Sequence, residues 1–240
     1  MTQKVEDRAL VIPGECVFEG MDYLPGSGVF RDGEQILSKH LGLVVFGTNR
    51  VIKVIPLNGQ YIPKEGDYVI GEVTRVAYSS WNVELNSPYE GILPLSAASD
   101  QFIELGNKDI SSIYDLGDLL IVKIGRVSKN KDVQVSMKDR RARRLQDGMV
   151  VSIPHTKVPR VIGKKGTMIN ILKDYTGSTI IVGQNGRIWL KNGNIPLAAK
   201  AIQKIAEEAH TQGLTDRINA MMEKEGKKQT VEVREDGNEE

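Results

Sequence analysis

The chain has 240 residues, of which 40% are hydrophobic and 26% are charged, a composition that supports packed cores in two or more domains. It has no apolar run near the ~20 residues of a membrane span and no signal-peptide pattern, so no membrane partner is expected. A single cysteine, Cys16, excludes an internal disulfide and a cysteine-based zinc site within one chain, and it favours a reducing, cytoplasmic location.

The net charge is only +1, but the charges are unevenly distributed. Residues 138–210 hold 14 Lys and Arg against 5 Asp and Glu, whereas residues 1–137 hold 13 against 18. A basic region in an otherwise acidic chain is typical of a module that binds phosphate groups.

The first segment, residues 1–60, consists of short apolar runs separated by glycine-containing turns. Runs such as 43–46 and 51–55 predict short strands, so an all-β N-terminal domain is expected here. A GxG pair occurs at residues 26–28, but Arg31 stands where a third glycine is needed and no helix follows. A dinucleotide-binding loop is therefore rejected.

The second segment, residues 61–138, predicts five strands with a longer excursion after the third. The predicted strands cover residues 67–78, 81–85, 90–94, 119–127 and 132–137. Five strands in this arrangement favour a five-stranded OB-fold β-barrel.

An OB-fold barrel binds single strands through exposed aromatic side chains and a basic groove. The candidates for RNA contact in the barrel are Tyr78, Trp81, Lys123 and Arg126. The alternative is that the aromatic rings belong to the barrel core and the basic side chains are ordinary solvated surface.

A basic run, Lys138–Arg144, follows the barrel and is interpreted as a helical linker that points charge to several sides. Three roles remain open for it: contact with RNA, pairing with acidic residues of a partner, and plain solubilisation.

The sequence Gly163-Lys164-Lys165-Gly166 places two lysines between two glycines, with apolar residues on both sides. It predicts a tight loop between two helices, at which glycine lets the backbone approach a sugar-phosphate strand. The second helix is expected to begin near Gly166, so its free N–H groups attract phosphate. Arg160 and Ile162 precede the loop and complete the predicted RNA-binding residues. The alternative is a flexible surface turn without a ligand.

The elements around this loop decide between the two interpretations. Residues 146–212 predict the order strand, helix, GxxG loop, helix, strand, strand, helix. This is the α/β (βααββα) order of a KH domain, whose GxxG loop holds about four nucleotides. Residues 213–240 are expected to begin as a helix and end as an acidic tail, with disorder over Lys227–Glu240.

No set of catalytic residues is recognisable. His40, His155 and His210 lie in three different segments without metal-ligand spacing, and no HExxH, Walker or GxSxG motif occurs. The chain is therefore predicted to bind a ligand without being an enzyme, and no cofactor or metal is expected.

The order of the three domains resembles a known family. With Val11–Glu15 near the start, Gly66–Gly71 at the opening of the barrel and Val161–Gly166 in the KH domain, the chain resembles the archaeal RNA-binding cap subunit of the exosome, the Rrp-four type. The barrel is similar to the RNA-binding type of ribosomal protein S-one. The likeness covers about residues 8–215.

This resemblance implies a non-catalytic subunit that captures single-stranded RNA, favouring A-rich ends, and feeds 3′ ends into a pore for 3′-to-5′ degradation. The partners it implies are a hexameric ring of phosphorolytic subunits, on which residues 1–60 dock, and further copies of the chain in a trimeric cap. Two alternatives remain open: a free-standing RNA-binding protein that acts in translation or RNA turnover, and an RNA-processing enzyme with hidden activity.

Overall fold

Strands and turns account for the beginning of the chain. The computed structural model describes residues 2–47, 49–98, 110–209, 211 and 213–235. The chain forms two compact units, Met1–Gly59 and Gln60–Glu240. The strands of the first unit are β1 (Thr2–Gln3), β2 (Leu10–Val11), β3 (Cys16–Glu19), β4 (Leu24–Pro25), β5 (Val29–Asp32), β6 (Gln35–Ser38), β7 (Gly42–Phe46) and β8 (Val51–Pro56).

These strands form two four-stranded sheets, ordered β1-β3-β6-β5 and β2-β7-β8-β4. Apolar side chains of both sheets share one core, with Val17 and Ile36 from the first sheet and Val44 and Ile52 from the second. The alternation of buried and exposed positions along β8 is the two-residue period of a strand with one covered face. The predicted all-β fold of this segment is confirmed.

The second unit begins with a closed barrel. Its strands are β9 (Tyr68–Val76), β10 (Ser80–Glu84), β11 (Gly91–Pro94), β12 (Leu119–Val127) and β13 (Val133–Ser136), and a short helix α1 (Leu95–Ala98) follows β11. The strand order β13-β11-β10-β9-β12 closes through pairing of β12 with β13. The predicted five-stranded OB-fold barrel is confirmed.

After the barrel, β14 (Arg143–Leu145) adds a strand to the barrel sheet and an α/β domain follows. The elements of this domain are β15 (Met149–Ser152), α2 (Val158–Ile162), α3 (Thr167–Thr176), β16 (Thr179–Val182), β17 (Arg187–Lys191), α4 (Ile195–Glu207) and α5 (Leu214–Glu235). The sheet has the antiparallel order β15-β17-β16, which leaves β16 at an edge. Asn194 caps α4 by accepting a hydrogen bond from the Leu197 N–H at 3.1 Å. The predicted βααββα order is confirmed.

The last helix extends this domain further than the sequence predicted. Leu214, Ile218 and Met222 recur every four residues on α5 and are buried in the same core as α3 and α4. The helix continues to Glu235, so the prediction of disorder from residue 227 is wrong up to that point. The acidic residues 236–240, like His210, lie outside the described part of the chain.

The basic run after the barrel does not form a helix. Residues Arg143–Leu145 form β14, which pairs antiparallel with β12 in the register Leu119↔Leu145 and Ile121↔Arg143. A turn precedes β14, with the Ala142 N–H donating to the Asp139 carbonyl at 2.9 Å. The helical-linker prediction is wrong because Leu145 is buried and the free edge of β12 satisfies the backbone of this segment.

The barrel and the α/β domain are joined by the turn at residues 183–186. Asn185 in this turn is 0% exposed. Its amide Nδ2 donates to the carbonyls of Ile70 at 2.7 Å and Leu85 at 2.8 Å, and its Oδ1 accepts from the Ile70 N–H at 3.3 Å. A Cβ on Gly183 would lie 2.9 Å from the Ile70 nitrogen, so glycine is needed for this approach.

Further contacts surround this amide. Arg187 pairs with the Glu84 carboxylate, and the Gln184 N–H donates to the Tyr68 carbonyl at 2.9 Å. Ile70 and Ile121 of the barrel pack with Trp189 of the α/β domain in a shared apolar cluster. The two domains are therefore positioned by specific polar contacts as well as by packing. Among the described helices, none is long and apolar enough to cross a membrane.

Replacing Asn185 tests this junction. We expect Asn185→Ala to lower the free energy of unfolding by about 2–4 kcal/mol, because three hydrogen bonds are removed from a buried interface. Denaturant unfolding measures the loss, with Asn170→Ala, an exposed position on α3, as the matched control. A loss as small as that of the control would show that the amide contributes little.

Candidate nucleic-acid interface

The GxxG loop joins two helices through a short 3-10 turn, Lys164–Gly166. Gly163 ends α2 with φ +75° and ψ 173°, a conformation that only glycine adopts readily. Lys165 has φ +54° and ψ 26°, the left-handed region that is uncommon for residues with a side chain. The loop therefore holds a lysine at its tip in a sparsely populated backbone conformation.

The electrostatics of the loop favour an anion. Arg160, Lys164 and Lys165 are exposed and form no ion pair with any described residue. Gly166 is the N-cap of α3, and no described side chain accepts a hydrogen bond from the first N–H groups of that helix. The Thr167 N–H donates to the Lys164 carbonyl of the preceding 3-10 turn. The positive end of the helix dipole and the N–H groups that lack a side-chain cap attract phosphate oxygens.

An open groove lies beside the loop, and we call it the interdomain groove. Ile162 at the end of α2 lines one side, Ile181 and Val182 of the edge strand β16 line another, and Gln184 lies in the following turn. The cavity has a volume of about 390 Å³. The KH side of this groove is largely apolar, so it can hold bases while the loop holds their backbone.

A second cavity lies on the other side of the loop, with a volume of about 680 Å³. Arg160 and Lys164 line it together with Asp216 near the start of α5. A carboxylate repels phosphate, so this side suits an RNA backbone less well than the interdomain groove.

The two aromatic candidates of the barrel occupy opposite environments. Tyr78 is 87% exposed in the turn after β9, at the far end of that nine-residue strand from Tyr68. Trp81 is 0% exposed, and its indole N–H donates to the Tyr114 carbonyl at 2.9 Å. Trp81 is thus a core residue that cannot stack on a base, and it has no place in the proposed RNA site.

The two basic candidates lie on β12. The Lys123 Nζ is 3.1 Å from the Asp139 carboxylate and 5.7 Å from the centroid of the Tyr68 ring. The hydrogen bond to Asp139 and the neighbouring Tyr68 both raise the pKa of Lys123. Arg126 is exposed farther along β12, opposite Gln134. RNA contact by these residues and by Tyr78 stays a prediction.

Sequence reasoning missed several residues that the fold brings to the interdomain groove. Tyr68 lies in the predicted strand 67–78 and residues 183–186 lie within the predicted KH domain, but neither was among the predicted RNA-binding residues. The signal for the turn was the amide of Asn185 between glycines, which indicates a close backbone approach. Across the described ranges, no group of three or more His, Cys, Asp or Glu side chains could hold a metal ion.

These features define a class of protein, one in which an OB-fold barrel and a KH domain form a single RNA-binding unit. Comparison with protein families agrees: the KH domain family matches residues 148–196, and the family described as "RRP4, S1 domain" matches residues 60–121. The barrel is therefore of the S1 type.

Relatives and solved structures extend the likeness to most of the chain. The chain is 42% identical to an exosome complex component Rrp4 from Thermofilum pendens, over 93% of this chain and 96% of that protein. It is also 42% identical to the protein of that name from Pyrococcus furiosus, over 91% and 84%. A crystal structure described as an exosome complex RNA-binding protein matches with a TM-score of 0.66 and 34% identity, over 71% of this chain and 99% of that chain.

The chain belongs to the Rrp4 family of exosome complex components. The family resemblance inferred from the order of the domains is thereby confirmed. The family assignment also confirms the prediction of an RNA-binding subunit that is not itself an enzyme.

The two glycines of the loop give a matched pair of variants. A Cβ on Gly163 would lie 2.7 Å from the Met168 backbone nitrogen, whereas one on Gly166 would meet nothing closer than 3.8 Å. We expect Gly163→Ala to cost about 3 kcal/mol of unfolding free energy, and Gly166→Ala about 1 kcal/mol, which is the left-handed strain alone. Denaturant unfolding measures both costs. Equal costs would contradict the loop geometry.

Proposed function

We propose that this chain is the RNA-binding cap subunit of an exosome, acting in the cytoplasm. It captures single-stranded RNA, stabilises the cap on a hexameric phosphorolytic ring and feeds 3′ ends into the pore for 3′-to-5′ degradation. The observation that carries the proposal is the KH loop, where three cations without an ion pair among the described residues and the start of α3, which has no side-chain cap, lie beside the interdomain groove. Its relatives are named as exosome complex components.

Binding without sequence choice follows from the kind of contact. Backbone N–H groups and mobile lysines recognise phosphates, which are the same in every RNA. A preference for A-rich ends would come from stacking and from the apolar side chains of the groove. Three copies in a trimeric cap would add their weak contacts through effective concentration.

The first unit supports docking on protein. Residues 1–59 form their own compact unit with exposed large apolar side chains, among them Ile12, Met21, Leu24 and Ile55. Exposed apolar surface of this kind is typical of protein–protein contacts. We assign this unit to the ring, and the barrel and KH domain to RNA.

Reversing the charge of the loop tests the RNA site. We expect Lys164→Asp with Lys165→Asp to weaken binding of a single-stranded RNA at least tenfold, because two phosphate contacts are lost. The slope of log affinity against log salt should flatten by about 1.4, or about 0.7 per contact. Fluorescence anisotropy over a salt series measures both, with Lys39→Asp and Lys53→Asp on the first unit as the control. Unchanged affinity and slope would remove the loop from the RNA site.

Deleting residues 1–59 separates this proposal from its alternative. A free-standing RNA-binding protein is favoured by one observation, that both RNA-binding domains lie in the unit Gln60–Glu240. On the exosome proposal, the shortened chain binds RNA with unchanged affinity but no longer forms a complex with ring subunits, as measured by size-exclusion chromatography with light scattering. The full chain failing to assemble with the ring, or the shortened chain assembling equally well, would overturn the docking role.

A further inference from the structure

The interdomain groove is closed on its barrel side by groups that a KH domain does not itself contain. Tyr68 at the start of β9 lines it, as do Arg140, Arg141 and Arg143 from the turn and strand after the barrel. These four residues face the KH side chains Ile162 and Val182 across one cavity. The groove is therefore composite, and its position depends on the junction at Asn185.

The charge of the barrel side is positive and uncompensated. Arg140, Arg141 and Arg143 are exposed and form no ion pair with any residue that the structure describes. The carboxylate nearest to them in sequence, Asp139, is held by the Arg141 backbone N–H at 3.2 Å and by Lys123 at 3.1 Å. These contacts lower the pKa of Asp139 and occupy its oxygens, so its charge is paired locally.

One of the arginines lies beside an aromatic ring. The Arg141 Cζ is 5.3 Å from the centroid of the Tyr68 ring, and the Lys123 Nζ is 5.7 Å from the same centroid. We call the Tyr68–Arg141 pair the platform, because a planar guanidinium beside an aromatic ring can stack an unpaired base and bind a phosphate with its N–H groups. Lysine could supply the charge but not the flat surface.

We propose that single-stranded RNA leaves the KH loop through the interdomain groove and continues onto the barrel. Arg140, Arg141 and Arg143 bind its phosphates, and the Tyr68–Arg141 pair stacks one base. This inference rests on the RNA binding proposed above, and it makes the site longer than the four nucleotides of a KH domain alone. An acidic protein segment is the competing occupant, but it would not use the platform for stacking.

The test uses the full chain and labelled oligoadenylates of four and eight nucleotides, measured by anisotropy over a salt series. Wild type is expected to bind the eight-nucleotide RNA about tenfold more tightly than the four-nucleotide RNA. The affinity of the triple variant Arg140→Gln, Arg141→Gln, Arg143→Gln should fall at least tenfold for the longer RNA and less than about twofold for the shorter one. Its salt slope for the longer RNA should fall by about 2, since each phosphate contact contributes about 0.7.

Two further variants separate charge from stacking. Lys39→Gln, Lys53→Gln and Lys64→Gln remove the same charge from exposed positions outside the groove and should change neither length preference nor slope. Arg141→Lys keeps the charge, so the salt slope should be preserved. Because the planar guanidinium is lost, the affinity for the longer RNA should fall about threefold.

The inference is overturned if the triple variant binds RNA as the lysine control does. It is also overturned if the triple variant loses equal affinity for both RNAs, which is the result expected from a nonspecific effect of net charge. Full RNA binding by the triple variant with loss of a protein partner would assign the groove to an acidic segment. A different result would contradict the proposed function. If the loop variant Lys164→Asp, Lys165→Asp binds the four-nucleotide RNA with the affinity of wild type, the KH loop is not an RNA site.

Discussion

The buried amide of Asn185 is the contact on which the arrangement of the RNA-binding unit depends. It hydrogen-bonds two carbonyls and one N–H of the barrel from inside the KH domain. A side-chain amide without partners is costly in a low-dielectric interior, so this set of bonds permits one docking orientation and penalises others. That orientation brings the edge strand β16 alongside the start of β9 and the arginines at positions 140, 141 and 143. The turn at residues 183–186 joins the KH domain to the barrel. The interdomain groove forms because this turn packs against the barrel and does not remain a free loop.

Charge explains how a nearly neutral chain can bind RNA. The formal net charge is +1, yet three of the basic residues after position 137, Arg140, Arg141 and Arg143, line the interdomain groove together. At ordinary ionic strength, charges are screened beyond about 8–10 Å, so the acidic excess spread over residues 1–137 does not by itself cancel a local cluster of basic side chains. Local balance, not net charge, decides whether a phosphate is attracted. The pairing of Asp139 with Lys123 belongs to this balance, because it keeps the Asp139 carboxylate from opposing the arginines.

Periodicity in the sequence predicted the barrel strands and the βααββα order because those elements are set by local patterns of apolar residues. Three features could not be predicted this way. The segment at Arg143–Leu145 became a strand because β12 offers an unpaired edge, which is a tertiary property. Trp81 went to the core because its indole finds the Tyr114 carbonyl, 33 residues away in sequence. The Tyr68–Arg141 pair joins positions 73 residues apart, and only the closed barrel brings them together.

A subunit that feeds RNA onward must hold the strand without fixing it at one position. Sequence-specific contacts to bases would give each RNA sequence a different affinity, and the tightest-binding sequences would be released slowly. Contacts to phosphates are equivalent from one nucleotide to the next, so a strand that advances by one step exchanges each contact for an identical one. In the proposed RNA path, Arg140, Arg141, Arg143 and the KH loop all offer such contacts. The Tyr68–Arg141 pair adds stacking that every base can satisfy. Moderate, repeated and sequence-tolerant binding is what this geometry provides, and it suits transfer of RNA better than storage.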